Sequence, residues 1–102
     1  MPGYIYVASI PDTRDNLFYV GYTDRNVQSH LNDLYTQARG GVPGPFELEL
    51  AYLVDDPKGV EQKAHQEFSD YRLPKTGWLD GVELTQIEAF LKPFGKCVNG
   101  QN

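Results

Sequence analysis

Hydrophobic and polar positions cut this chain into short units. Two apolar, aromatic-rich runs, GYIYVA at 3–8 and LFYVGY at 17–22, flank the polar stretch PDTRDN at 11–16. β-branched and aromatic runs bounded by turn formers predict a β-hairpin with a longish loop. Gly21, inside the second run, predicts a bulge or the close approach of another group. Val27, Leu31, Leu34 and Ala38 then recur at spacings of 4, 3 and 4, one apolar stripe of a helix over 26–38. Asp24 or Asn26 can cap it, and Gly40-Gly41 ends it. His30 falls on or beside the buried face. Residues 46–54, FELELAYLV, alternate at first and then turn continuously apolar, which predicts a third strand. Asp56-Pro57 is a strong helix start. The helix it opens is expected over 57–71, with Val60, Ala64, Phe68 and Tyr71 as its core stripe. Glu61 and His65 lie one turn apart on a neighbouring face. A loop follows at 72–77, and Trp78-Leu79 is expected to pack back. Thr85 and Glu88 have capping-box spacing and predict a short helix carrying Ile87, Phe90 and Leu91, stopped at Pro93. Residues 95–102 read as a frayed tail, or add one edge strand at Cys97-Val98.

The order β-β-α-β-α-α predicts an α/β protein of the α+β kind, with a three-stranded, mostly antiparallel sheet covered by helices. A chain of 102 residues suits one domain, expected over 1–94 with a tail at 95–102. The single cysteine, Cys97, rules out an internal disulfide and fits a reducing compartment. No apolar run approaches the roughly 20 residues that span a bilayer, and no basic segment followed by an apolar one opens the chain. The expectation is a cytoplasmic protein with no membrane partner. The net charge of −5 is the wrong sign for a general nucleic-acid binder, although a local basic patch is compatible with it.

The first two runs carry Tyr4-Ile5-Tyr6 and Tyr19-Val20-Gly21. Further on come Gly41-Val42-Pro43-Gly44-Pro45-Phe46 and, in the second helix, Glu61, His65 and Phe68, followed by Arg72. In this order, over residues 3–80, these blocks resemble the GIY-YIG nuclease superfamily, most closely its small phage and bacterial branch. The resemblance implies a metal-dependent DNA endonuclease that hydrolyses phosphodiester bonds with one divalent cation, Mg²⁺ or Mn²⁺. Carried over by position, Glu61 is the expected metal ligand. Tyr6 and Tyr19 are expected at the scissile phosphate, and His65 is expected to orient substrate or support Glu61. Gly21, Arg25 and Arg72 are the expected substrate-binding residues.

One position departs from the family pattern. The superfamily places an arginine on the first helix, 8 or 9 residues after the second motif's glycine; here those positions hold Ser29 and His30. His30 is the candidate replacement. An enzyme using it as a cation loses rate above neutral pH, since histidine titrates near 6.5. The missing arginine and the acidic balance also leave open a different class: a degenerate GIY-YIG domain without catalysis that binds a protein or nucleic acid, for example in phage–host interaction.

Overall fold

The computed structural model describes residues 2–10, 16–38, 46–73 and 76–98. The elements are β1 (Gly3–Ser9), β2 (Leu17–Thr23), α1 (Val27–Ala38), β3 (Glu47–Val54), α2 (Pro57–Glu67), β4 (Trp78–Asp80), α3 (Leu84–Leu91), a 3₁₀ turn (Lys92–Phe94) and β5 (Gly95–Cys97). The strands form one antiparallel sheet in the order β4-β2-β1-β3-β5. The expected turn at Pro11–Asp15, the Gly40-Gly41 stop, the Gly41 to Pro45 block, Pro74-Lys75 and the end of the tail lie outside the described residues.

The sheet has five strands rather than the three expected. The hairpin and β3 are as read, but β4 and β5 extend the sheet at both edges. Trp78-Leu79 does not merely pack back: Tyr19 pairs with Trp78 and Phe18 with Leu79. Gly95–Cys97 pairs with the last residues of β3, so the edge-strand alternative for the tail is the one realised. Both edge strands have only 3 residues, too short for a period of two to register against noise.

β1 runs down the middle and is buried on both faces, as a strand covered on each side must be. Ile5 and Val7 point to one face, with Val20, Leu50 and Tyr52 beside them and Val60, Ala64, Phe68, Ile87 and Leu91 of the α2 and α3 region above. Tyr6 and Ala8 point to the other, with Ala51 beside them and Val27 and Leu31 of α1 above. Tyr6 is opposite Gly21 on β2 and opposite Ala51 on β3. Two small neighbours are what let a tyrosine lie flat in the centre of a covered sheet.

Local chemistry sets the helix ends. The Asn26 side chain accepts the Ser29 N–H at 3.0 Å, so Asn26 rather than Asp24 starts α1. Asp56 accepts the Gly59 N–H at 3.2 Å ahead of Pro57, as expected of an N-cap. Two boundaries differ from expectation. α2 leaves helical geometry at Phe68, short of Tyr71, and the chain continues through turns with Tyr71 N–H on the Phe68 carbonyl at 2.9 Å. Ser69 and Asp70 hold a helix poorly, yet Phe68 and Tyr71 still pack against the core. The capping box of α3 is Glu83 with Gln86, not Thr85 with Glu88. The Gln86 side chain accepts the Glu83 N–H at 3.0 Å, which begins the helix one residue before Thr85.

Candidate functional site

The site is built on the register of the hairpin. Tyr19 and Gly21 are two apart on β2 and therefore share a face with Tyr6, which is opposite Gly21. The two phenol rings stack with centroids 6.2 Å apart. A Cβ at position 21 would be 2.6 Å from the Tyr6 hydroxyl and 2.9 Å from a ring carbon of Tyr19. Gly21 is bare because both tyrosines occupy its side-chain space. Gly77 clears the other flank of Tyr19: a Cβ there would be 3.1 Å from the ring and 2.9 Å from the Val20 carbonyl oxygen. Trp78 meets the Tyr19 ring edge-on at 5.3 Å, and Phe46 lies 5.8 Å away.

α2 carries Glu61 and His65 together on the wall of one pocket. The Glu61 charge is felt at both phenols. Burial pushes the Tyr6 hydroxyl well above the ordinary phenol range, and the Tyr19 and Glu61 charges add to the effect. Tyr19 is raised in the same way, by burial first and Glu61 second. Both are hydrogen-bond donors across the whole working pH range. Burial also raises the Glu61 carboxyl, against the opposing pull of Arg72 and Lys58. His65 Nε2 donates to the Val20 carbonyl at 3.3 Å. This fixes its tautomer, because a carbonyl can only accept, and ties α2 to β2 one residue before Gly21. Burial lowers the His65 pKa; the Val20 bond opposes this, and Arg72 adds to it. Glu61, His65 and Arg72 border one open polar pocket of about 560 Å³, where the Arg72 Nε–H is held by the Thr76 carbonyl at 2.7 Å.

His30 meets Tyr6 from α1, ring edge to face, with centroids 5.5 Å apart. Arg25, an expected substrate-binding residue, lies beside His30 in the structure. Its Nη2 is 3.5 Å from His30 Nδ1 and donates to Asp33 at 3.0 Å. Burial lowers the His30 pKa, Arg25 lowers it further, and Asp33 works against both. At neutral pH His30 is therefore an uncharged ring, and the permanent cation beside it is Arg25. Tyr6, Tyr19, Gly21 and His30 thus gather in one cluster, Glu61 acts on both phenols through its charge, His65 and Arg72 share the Glu61 pocket, and Arg25 lies beside His30.

Two residues of this region were not singled out from the sequence. Lys58 acts on the Glu61 carboxyl, and its position three residues earlier on the same helix was a usable signal. Gly77 had none, since only the folded chain puts Tyr19 against it.

Glu61 is the side chain here that could hold a divalent cation. Among the described residues, no three His, Cys, Asp or Glu side chains gather into a metal cage. Glu61 is a single hard oxygen donor at an open polar pocket. Mg²⁺ commonly keeps most of its water and binds one or two carboxylates, so the donor set fits a hydrated ion of that kind.

The architecture is that of a small α+β module with a stacked tyrosine pair on its sheet and a helix carboxylate within electrostatic reach of both phenols. The chain belongs to the T5orf172 domain family, whose model matches residues 3–95. That membership makes it a phage-related nuclease-like or DNA-binding module. No curated protein and no solved structure matches the chain. Among the described residues, no helix is long and apolar enough to cross a membrane.

Proposed function

We propose that this protein is a GIY-YIG-type endonuclease that hydrolyses phosphodiester bonds in DNA. The observation that carries the reading is the convergence of Tyr6 and Tyr19 over Gly21, within electrostatic reach of Glu61. Two neutral phenols beside a carboxylate suit a phosphodiester. The half-buried Tyr19 hydroxyl donates a hydrogen bond to a phosphoryl oxygen or to the attacking water, with the buried Tyr6 packed behind it, and charge developing on the phosphate is met by a preorganised donor. Arg72 and Arg25 supply guanidinium forks on either side, and such forks grip phosphate bidentately. His65 holds α2 and β2 together, so Glu61 keeps its place opposite the tyrosines. Glu61 would hold Mg²⁺ or Mn²⁺, and such an ion supplies Lewis-acid stabilisation of a phosphoryl oxygen.

The test is nicking of supercoiled DNA with Mg²⁺ or Mn²⁺ between pH 6 and 9. Metal-dependent nicking that disappears in Glu61→Ala is the expected result. A second reading has its own support: α1, VQSHLNDLYTQA, carries no arginine or lysine, so a phosphate is approached from that helix by His30 alone. Absence of cleavage, with retained binding of DNA or of a protein, would assign the chain to a binding module that has lost catalysis.

A further inference from the structure

A second pocket, of about 530 Å³, lies beside His30. Tyr22, Asp24, Arg25, His30, Asp56 and Lys58 border it. Two of its walls are shared with the candidate site. His30 also meets the Tyr6 ring in a T-shaped contact, and Lys58 is close enough to act on the Glu61 carboxyl. A ligand seated here therefore shares His30 with the tyrosine pair and Lys58 with Glu61.

The chemistry of the walls narrows the ligand. Arg25 and Lys58 are cations from two different elements, one after β2 and one in the first turn of α2, which suits an anionic group held between them. Bare phosphate is a poor match, because the carboxylates of Asp24 and Asp56 line the same pocket. The Asp56 carboxylate is partly committed, accepting the Gly59 N–H; Asp24 is a further acceptor. Arg25 is braced by Asp33 outside the pocket. A ligand with an anionic end and hydrogen-bond donors elsewhere satisfies both signs at once. Tyr22 adds an aromatic ring that is 38 % exposed although it belongs to a strand, a surface on which a planar base can stack. The volume lies within the range of small-ligand clefts, roughly 300–1,000 Å³.

We infer that this pocket is a nucleotide subsite. It takes the nucleotide adjoining the one at the tyrosine pair, with its phosphate between Arg25 and Lys58 and its base against Tyr22. Asp24 accepts from the amino or hydroxyl groups of that nucleotide. This assignment rests on the nuclease reading for its place along a strand, but not for binding itself. A single nucleotide should enter the pocket whether or not the protein cuts DNA.

The experiment is an NMR titration of the full chain with dCMP, with inorganic phosphate and deoxycytidine as parallel probes. Expected are saturable shifts at Tyr22, Arg25 and Lys58 with dCMP, and binding at least fivefold weaker with either partial probe. Arg25→Gln with Lys58→Gln should abolish saturation, and Tyr22→Ala should weaken dCMP about tenfold, each variant keeping the dispersed spectrum of the folded chain. Inorganic phosphate binding as tightly as dCMP would overturn the nucleotide assignment, as would shifts elsewhere or unchanged affinity in the variants. Nicking that depends on Glu61, with dCMP leaving the pocket untouched, would sink this inference and spare the nuclease reading. Saturable dCMP binding in a protein that never cuts DNA would do the reverse.

Discussion

A methyl group at position 21 has nowhere to go. It would be 2.6 Å from the Tyr6 hydroxyl and 2.8 Å from the carbon that bears it. Tyr6 cannot yield, since it is 1 % exposed and packed under α1. Gly21→Ala should therefore cost about 1–3 kcal/mol, as overpacking does, and should abolish nicking even where the protein remains folded. Urea denaturation and the plasmid assay report the two effects separately; full activity in a destabilised Gly21→Ala would remove the tyrosine pair from the chemistry. Glu61 behaves in the opposite sense. Its carboxyl is raised by burial, so at neutral pH the folded state carries a charge it would rather not have. Glu61→Gln should stabilise the fold by less than about 1 kcal/mol, since the half-exposed group is screened, while cleavage is lost. A stability loss in Glu61→Gln would show that the ionised carboxylate supports the fold.

At the scale of elements, α2 is attached to β2 by more than apolar packing. β4 stops beside Tyr19 in register, and beyond it the Val20 N–H donates to the Gly77 carbonyl at 2.9 Å. The Val20 carbonyl is taken by His65 instead. One side chain thus closes a sheet edge and sets the distance between the strand of Tyr19 and the helix of Glu61. His65→Ala should cost about 1 kcal/mol, toward the lower end for a backbone acceptor left short of its partner. His65→Gln, whose amide can donate to the same carbonyl, should recover part of both stability and activity. Equal losses in the two variants would mean that the imidazole acts on substrate rather than through Val20.

For the molecule as a whole, pH couples to stability through the two histidines. Both His30 and His65 have pKa values lowered by burial. In the window between those folded values and the unfolded value of about 6.5, the unfolded chain binds more protons. Stability therefore rises with pH through that window and is lost as pH falls below about 6.5. Glu61 works the other way: its folded pKa is raised, so its contribution improves as pH falls toward the ordinary carboxylate range. The urea midpoint should drop between pH 7.5 and 5.5, and Glu61→Gln should show the drop without the offset. A midpoint that holds level or climbs on acidification of Glu61→Gln would contradict the assignment of both imidazoles as neutral in the fold.

Much of this protein was legible in its sequence, because short-range chemistry decides where elements begin and which face they bury. The hairpin runs, the stripe Val27-Leu31-Leu34, the Asp56-Pro57 start and the spacing of Glu61 to His65 are all local patterns, and each describes the folded chain. The order of the Tyr6, Tyr19, Gly21 and Glu61 blocks carried the family resemblance, and membership in the T5orf172 domain family agrees with it at the coarser level of a nuclease-like or DNA-binding module. The edge strands β4 and β5 were not legible, since three residues make no period and depend on a partner strand for their hydrogen bonds. Nor was the end of α2 at Glu67, where turns take over while the same side chains stay buried. The sequence by itself determined which residues were available to the cleft and in what order. Only the tertiary structure decided that Gly77 backs Tyr19, that Arg25 comes to His30, and that Lys58 joins Tyr22 across a pocket. Those contacts join residues from separate elements, and their geometry follows from strand register and helix placement rather than from any spacing along the chain.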